Sequence, residues 1–206
     1  MEPYEESSTN FIYNLLFCDN LNLFRERTKQ PYEYPFDILF SEPASISGLQ
    51  KIIDDENADP RVKVLAYNAM IANGHTPKRK ELLGVIVEVG LEDGLDVLAS
   101  FSDGSARYIN QSGKIIIWET TDDDEANKIT SDLFAASMNI VDQIGPWDQS
   151  RLPNPIKGNV RLTFLVSDGL YFGEAPIGVF FNDALAGPAL AKATELMQFL
   201  IQGASK

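Results

Sequence analysis

His75 and Cys18 are the only histidine and the only cysteine among 206 residues, so they bound the nucleophilic and metal chemistry open to this chain. A cysteine nucleophile needs a base beside it, and His75 is the one imidazole that could serve. His75 stands in the connector Gly74-His75-Thr76-Pro77, whereas Cys18 stands among Leu15, Leu16, Phe17 and Leu21. In such an apolar run a thiol is expected to be buried and inert. Nothing in the spacing brings the two together, and one His with one Cys falls short of a zinc centre of the usual kind. The expected state is a quiet thiol and a loop histidine, with no catalytic residue, no metal ligand and no cofactor.

Carboxylates are abundant instead. The run Asp122-Asp123-Asp124-Glu125 invites a hard cation, but it lacks the central Gly and the later Glu of a calcium loop. Acids there suit the unpaired amides and the positive end of a helix start, with Thr121 and Asp124 at capping-box spacing. Asp54-Asp55-Glu56 with Asp59 reads likewise, as a polar loop ending in a cap.

Two arginines, Arg107 and Arg161, fall in the middle of expected strands, with Tyr108 and Trp118 near them in sequence or pairing. Long strand arginines commonly snorkel at a sheet edge. If both point to one face, they would clamp a carboxylate or phosphate, which admits a small anionic ligand. The most unusual stretch runs from Ser167 to Gly178 and is rich in Gly and aromatic residues. It has neither the Lys nor the helix-opening amides of a phosphate loop. It reads as a hairpin followed by a bulge or edge kink. The sharper alternative is a lip over a ligand or partner pocket, with Tyr171, Phe172 and Glu174 exposed. The candidate ligand- or partner-binding residues are therefore Arg107, Trp118, Arg161, Tyr171, Phe172 and Glu174.

These residues must be carried by a sheet. Glu92-Asp93-Gly94, Ser102-Asp103-Gly104 and Gln111-Ser112-Gly113 each separate two runs rich in β-branched and aromatic residues. Three tight-turn signals about ten residues apart predict a four-stranded antiparallel meander. Leu83, Val85, Val87 and Val89 on the first strand and Leu95, Val97, Ala99 and Phe101 on the second define one apolar face. The other face carries Ile86, Leu98, Ile109, Ile116 and Trp118, too apolar for a solvated surface. The N-terminal helices are the expected cover, and a second subunit is the alternative. Val160, Leu162, Phe164 and Val166 alternate as a fifth strand, Asp168-Gly169 turns into a sixth near Leu170 to Phe172, and Val179-Phe180-Phe181 resumes it after Pro176.

Helices fill the rest. Phe11 to Phe24 predicts a helix broken near Asp19-Asn20. Ser47-x-x-Gln50 resembles a capping box, and Asp59-Pro60 opens a helix that Asn73-Gly74 closes. A long helix follows the 122–125 acids, and Gly187-Pro188 opens a last one that Gly203 stops. The expected class is α+β: an antiparallel sheet, made of the meander plus a C-terminal hairpin, with helices packed on it and a small N-terminal helical layer. The expected divisions are a flexible acidic tail over 1–8, a helical subdomain over 9–77 and an α+β domain over 78–206, the last two continuous. The order meander, helix, hairpin, helix is loosely similar to the profilin-like and roadblock-like arrangement used in scaffolding and sensing, a likeness of layout without a shared motif.

The formal net charge of −13 sets the partners. Nucleic acid and anionic membranes both call for basic patches, so neither is expected. The acidic N-terminus is unlike a secretory signal and the lone cysteine suits a reducing compartment, so a cytoplasmic home is expected. Two functions remain: a non-enzymatic interaction or regulatory module, binding a protein partner or itself, and a small-ligand-binding protein or carboxylate/Arg-based enzyme with a pocket near the 167–178 loop.

Millimolar calcium, magnesium or zinc is expected to leave the melting temperature unchanged, because the 122–125 acids serve a helix start. A specific site saturated a hundredfold above its Kd would add about 2.7 kcal/mol. A rise of several degrees that Asp123→Asn with Asp124→Asn removes would show a metal site.

Overall fold

Gly104 and Gly113 hold φ at +88° and +79°, the left-handed values that a tight turn requires. Side chains finish these turns. Asp103 accepts from the Ser105 amide at 2.9 Å, and Asn110 accepts from the Ser112 and Lys114 amides at 3.0 Å. The computed structural model describes residues 1–204, and residues 205 and 206 of the expected α+β domain lie outside the described residues. The meander consists of β1 (Leu82–Gly90), β2 (Leu95–Phe101), β3 (Ala106–Ile109) and β4 (Ile115–Trp118). After a crossover helix, β5 (Asn159–Val166) and β6 (Gly169–Pro176) form the hairpin. The six strands make one antiparallel sheet in the order β4-β3-β2-β1-β5-β6, so β1 lies inside, flanked by β2 and β5.

The helical layer precedes the sheet. It comprises α1 (Ser7–Leu15), α2 (Leu21–Arg27), α3 (Phe36–Leu39), α4 (Ile46–Asp54) and α5 (Pro60–Ala72). The expected break near Asp19-Asn20 separates α1 from α2, with Cys18 at φ +52° and Asn20 capping the Asn22 amide. Asp59 caps α5 through the Arg61 amide at 2.8 Å, with Pro60 at the first turn. The cap of α4 differs from expectation: Ser45, not Ser47, accepts from the Gly48 amide, and Ser47 sits within the first turn. The stretch read as a loose tail contributes to the core, since Tyr4 is buried and its hydroxyl donates to the Leu95 carbonyl at 3.0 Å.

Both faces of the sheet are covered within the chain. Tyr13, Leu49, Ile52 and Leu65 of the helical layer share one core with Ile86, Val97, Phe101 and Ile109. On the other face lie α6 (Asp124–Val141) and α8 (Ala186–Ala204), where Leu133, Leu190, Leu196 and Leu200 meet Val85, Leu98, Val160 and Phe164. Asp123 caps α6 through the Ala126 amide at 2.9 Å, so the acidic run is a helix start. The grouping of residues into faces differs from expectation. The pairing sets Ile86 against Ala99 and Val87 against Leu98, so Val85 and Val87 lie opposite in face to Val97 and Phe101. Leu83 changes sides at the register break beside Gly84.

The C-terminal third departs further. β6 pairs with β5 without a bulge from Gly169 to Pro176, which an edge strand tolerates at its end. The chain then turns into a helix, α7 (Ile177–Asn182), where a resumed strand was expected. Asp183 ends α7 and accepts from the Leu185 and Ala186 amides at 2.9 and 2.8 Å, opening α8. Gly203 lies inside α8 and does not stop it.

Gly90 has a steric role of its own. A Cβ there would stand 2.5 Å from the Pro155 carbonyl oxygen and 2.6 Å from the Ile156 carbonyl carbon, because the 155–158 loop crosses the end of β1. Gly90→Ala is expected to lower unfolding free energy by about 1–3 kcal/mol, and Gly104→Val by about 1–3 kcal/mol through its positive φ. Gly178→Ala, with open space around it and a helical backbone, is expected to leave stability unchanged or raised. Urea unfolding at constant m-value reads all three. Unchanged midpoints for Gly90→Ala and Gly104→Val would show the turns and the crossing to be wrongly drawn.

Candidate functional site

Glu88 stands in the C-terminal part of β1 and is fully buried. Strand register sets it beside Arg161 on β5, which in turn stands beside Glu174 on β6. Three charged side chains therefore form one row across three strands. Arg161 donates to Glu174 from Nε at 3.0 Å and from Nη2 at 2.6 Å, and to the Leu152 and Pro153 carbonyls. Its distance to Glu88 Oε2 is 3.6 Å, an ion pair too long for a hydrogen bond. Glu88 Oε1 instead accepts from the Tyr13 hydroxyl of α1 at 2.6 Å. Burial pushes the Glu88 carboxyl up, past the opposing effects of the Tyr13 hydrogen bond and the Arg161 and Arg151 charges. Burial also raises Glu174, but hydrogen bonds from Asn159 and Arg161 outweigh it and hold that carboxyl below its ordinary range. Phe172 lies at the rim, 5.7 Å from the Arg161 guanidinium and edge-on to Trp147 at 5.0 Å.

Arg107 and Arg161 do point to one face, but β2 and β1 lie between their strands, a lateral gap of about 14 Å at ordinary strand spacing. Each is engaged locally. Arg107 is buried, pairs with Glu119 and donates to the Ala106 and Trp118 carbonyls. Burial lowers its pKa, and Arg61 adds to that against Glu119. Trp118 turns to the other face and meets Phe199 of α8 at 5.3 Å. Tyr171 is buried, donates to Asp168 at 2.9 Å and carries Lys80 over its ring. The six candidates thus fall into three separate groups: Arg161, Phe172 and Glu174 together, Arg107 with Trp118, and Tyr171 alone. Phe172 and Glu174 are half-buried in a paired strand, so no lip forms. Cys18 is buried, which pushes its thiol up, while His75 is exposed and lines a different cavity with Tyr67 and Arg79.

Neither arginine lines the most apolar cavity. That space, about 280 Å³, lies between the sheet and α7–α8. Val87 and Leu98 form its floor, Leu190 and Met197 one wall, and Ile177 and Phe181 of α7 its roof. One end is polar: Asp96 accepts from the Tyr108 hydroxyl at 2.9 Å and from the Gln111 amide at 2.6 Å. Above it α7 buries none of its residues. Val179 is 58 % exposed, Phe181 45 % and Leu185 44 %, and Ile156 on the neighbouring loop is 72 % exposed. Sequence reasoning missed both features. The signal was the run Ile177 to Phe181, apolar at every position but Gly178, which is too apolar for a solvent-facing edge.

No family model, no curated protein and no solved structure matches this chain. Among the described residues no helix is long and apolar enough to cross a membrane, and no cluster of His, Cys, Asp and Glu could hold a metal ion.

Glu88 and Glu174 give opposite pH dependences. A carboxyl raised by folding binds its proton more tightly in the native state, so stability falls as pH rises from the ordinary 4.5 through the folded value. The lowered Glu174 contributes stability above 4.5 that is lost as pH falls through its folded value. Glu88→Gln keeps an acceptor for Tyr13 and removes only the first dependence. Its melting temperature relative to the parent is expected to rise as pH increases above 4.5. A difference that is flat across pH 4–8 would show Glu88 to be unperturbed.

Proposed function

We propose that this chain is a non-enzymatic interaction module acting in the cytoplasm, which docks a protein partner on α7. The observation that supports the reading is α7 itself, a helix of six residues that buries none of them. Contiguous exposed apolar surface marks contact sites on soluble proteins. Here Ile156, Ile177, Val179, Phe181 and Leu185 supply it on a chain whose sheet is covered on both faces. The net charge of −13 favours a partner with an apolar centre and a Lys- or Arg-bearing rim. It also disfavours nucleic acid and anionic membranes. Self-association through the same patch would have to overcome like-charge repulsion, and would strengthen with added salt where a basic partner would weaken.

Val179→Glu with Leu185→Glu places charge on the patch at positions that do not line the cavity. Crosslinking of the full chain in its own cells, mapped at Lys157 beside the patch, is the test, with sedimentation velocity of the purified chain at low and high salt. The expected outcome is a specific crosslinked partner that the double variant loses at unchanged melting temperature. A chain that forms no complex, or one whose complex survives the double variant, would refute docking on α7.

A further inference from the structure

The space beneath α7 is an apolar pocket partly open to solvent, the concave kind of site that takes a small molecule. Its 280 Å³ is nearly twice the ~150 Å³ of an apolar cavity that takes up benzene, which scales to about eleven non-hydrogen atoms. Side chains from four strands and two helices line it, and carbon dominates the surface. A pocket lined in this way favours an apolar body.

The polar end decides the head group. Asp96 is half-buried and lines the cavity, with one carboxylate oxygen bound to Tyr108 and the other to the Gln111 amide. Each carboxylate oxygen has a second lone pair. Both bonded neighbours are donors, so Asp96 can receive a further donor and can give none. The remaining hydroxyl in the lining, Thr194, donates to the Leu190 carbonyl of its own helix at 2.8 Å. A fatty-acid carboxylate would therefore meet like charge, on a chain already at −13, whereas an ammonium group would meet a charge-assisted hydrogen bond.

The geometry points to a binding site for a small cationic amphiphile, with an alkyl or aryl body between the sheet and α8 and an ammonium head at Asp96. α7 is the roof: Ile177 and Phe181 line the space and are themselves 38 % and 45 % exposed. α7 is held mainly by half-buried Phe180, which packs against the core beneath it. The inference uses α7 as a roof and not as a docking surface, so it stands or falls on the isolated chain.

Octylamine, 1-octanol and octanoate share a body that fits and differ in the head. Calorimetric titration of the full chain at neutral pH is expected to rank them in that order, with octylamine at least tenfold tighter than octanoate. Asp96→Asn, which keeps an acceptor for Tyr108, is expected to bring amine and carboxylate to within about threefold. Ala193→Leu, which fills the space, is expected to abolish binding of all three. Methyl resonances of Met197 and Val87 locate the bound body independently of that variant's folding. Equal affinities for the three heads in the parent chain would overturn the role of Asp96. No binding of any at millimolar concentration, or shifts confined to other methyl groups, would overturn the site.

Discussion

A fully buried carboxylate on an inner strand, β1, organises this molecule. Glu88 is tied to α1 by Tyr13, to β5 by Arg161, and through Arg161 to β6 and to the carbonyls of the 152–153 loop. Arg151 closes the same junction from outside, with its guanidinium 3.7 Å from the Phe17 ring centre and bonded to Asp19 and Asn14. Taking charges out of water is costly, and a buried pair is weak evidence for net stability. What the row supplies is registration. A slip of β5 by one residue would turn Arg161 to the opposite face and leave Glu88 without a cation. Displacement of α1 would strand the carboxylate without its one hydrogen bond. The helical layer and the hairpin thus meet the same strand through polar groups set within an otherwise apolar face.

That arrangement accounts for what could be read from the sequence and what could not. Turns, caps and element types are local. Asp-Gly and Ser-Gly pairs, Asp59-Pro60 and the 122–125 acids each act on amides within a few residues, and the meander, α5 and α6 lie where those signals place them. Faces are not local. β1 and β2 are apolar on both faces, so assigning Val85 and Val97 to a face requires knowing which residues pair across the 91–94 turn. The same gap hid the charged row. Glu88, Arg161 and Glu174 are spread over 87 positions of sequence, and only strand order brings them side by side. Arg161 and Glu174 were recognised as unusual, but their chemistry is directed inward at a carboxylate that had drawn no notice.

The apolar run after Pro176 failed for a different reason. Ile177 to Phe181 has the β-branched and aromatic content of a strand, and propensity alone favours that outcome. Strand β6, however, is at the sheet edge and ends at Pro176, where no neighbour remains to extend the ladder. A helix satisfies its backbone within itself, so the chain coils as soon as pairing ends. Tertiary position overrides local preference here, and leaves large apolar side chains facing water.

This places the two proposed activities on one element. α7 borders the cavity with Ile177 and Phe181 and exposes Val179 on its outside. An occupant of the cavity that holds the roof closed, and a partner that grips its outer surface, act on the same few backbone angles. Two ligands that each favour one position of a shared element must change each other's affinity by the same factor, in either direction. The magnitude is bounded by how differently each binds the open and closed positions. Phe180 is the half-buried side chain through which α7 packs on the core, so it is the contact that either ligand would work against. The remainder of the sheet, fixed by the Glu88 row and covered on both sides, supplies the rigid floor against which such a movement would be measured. A regulatory module of this kind needs no catalytic residue: a charged row that fixes the frame, and one short helix that the frame does not fix, are sufficient.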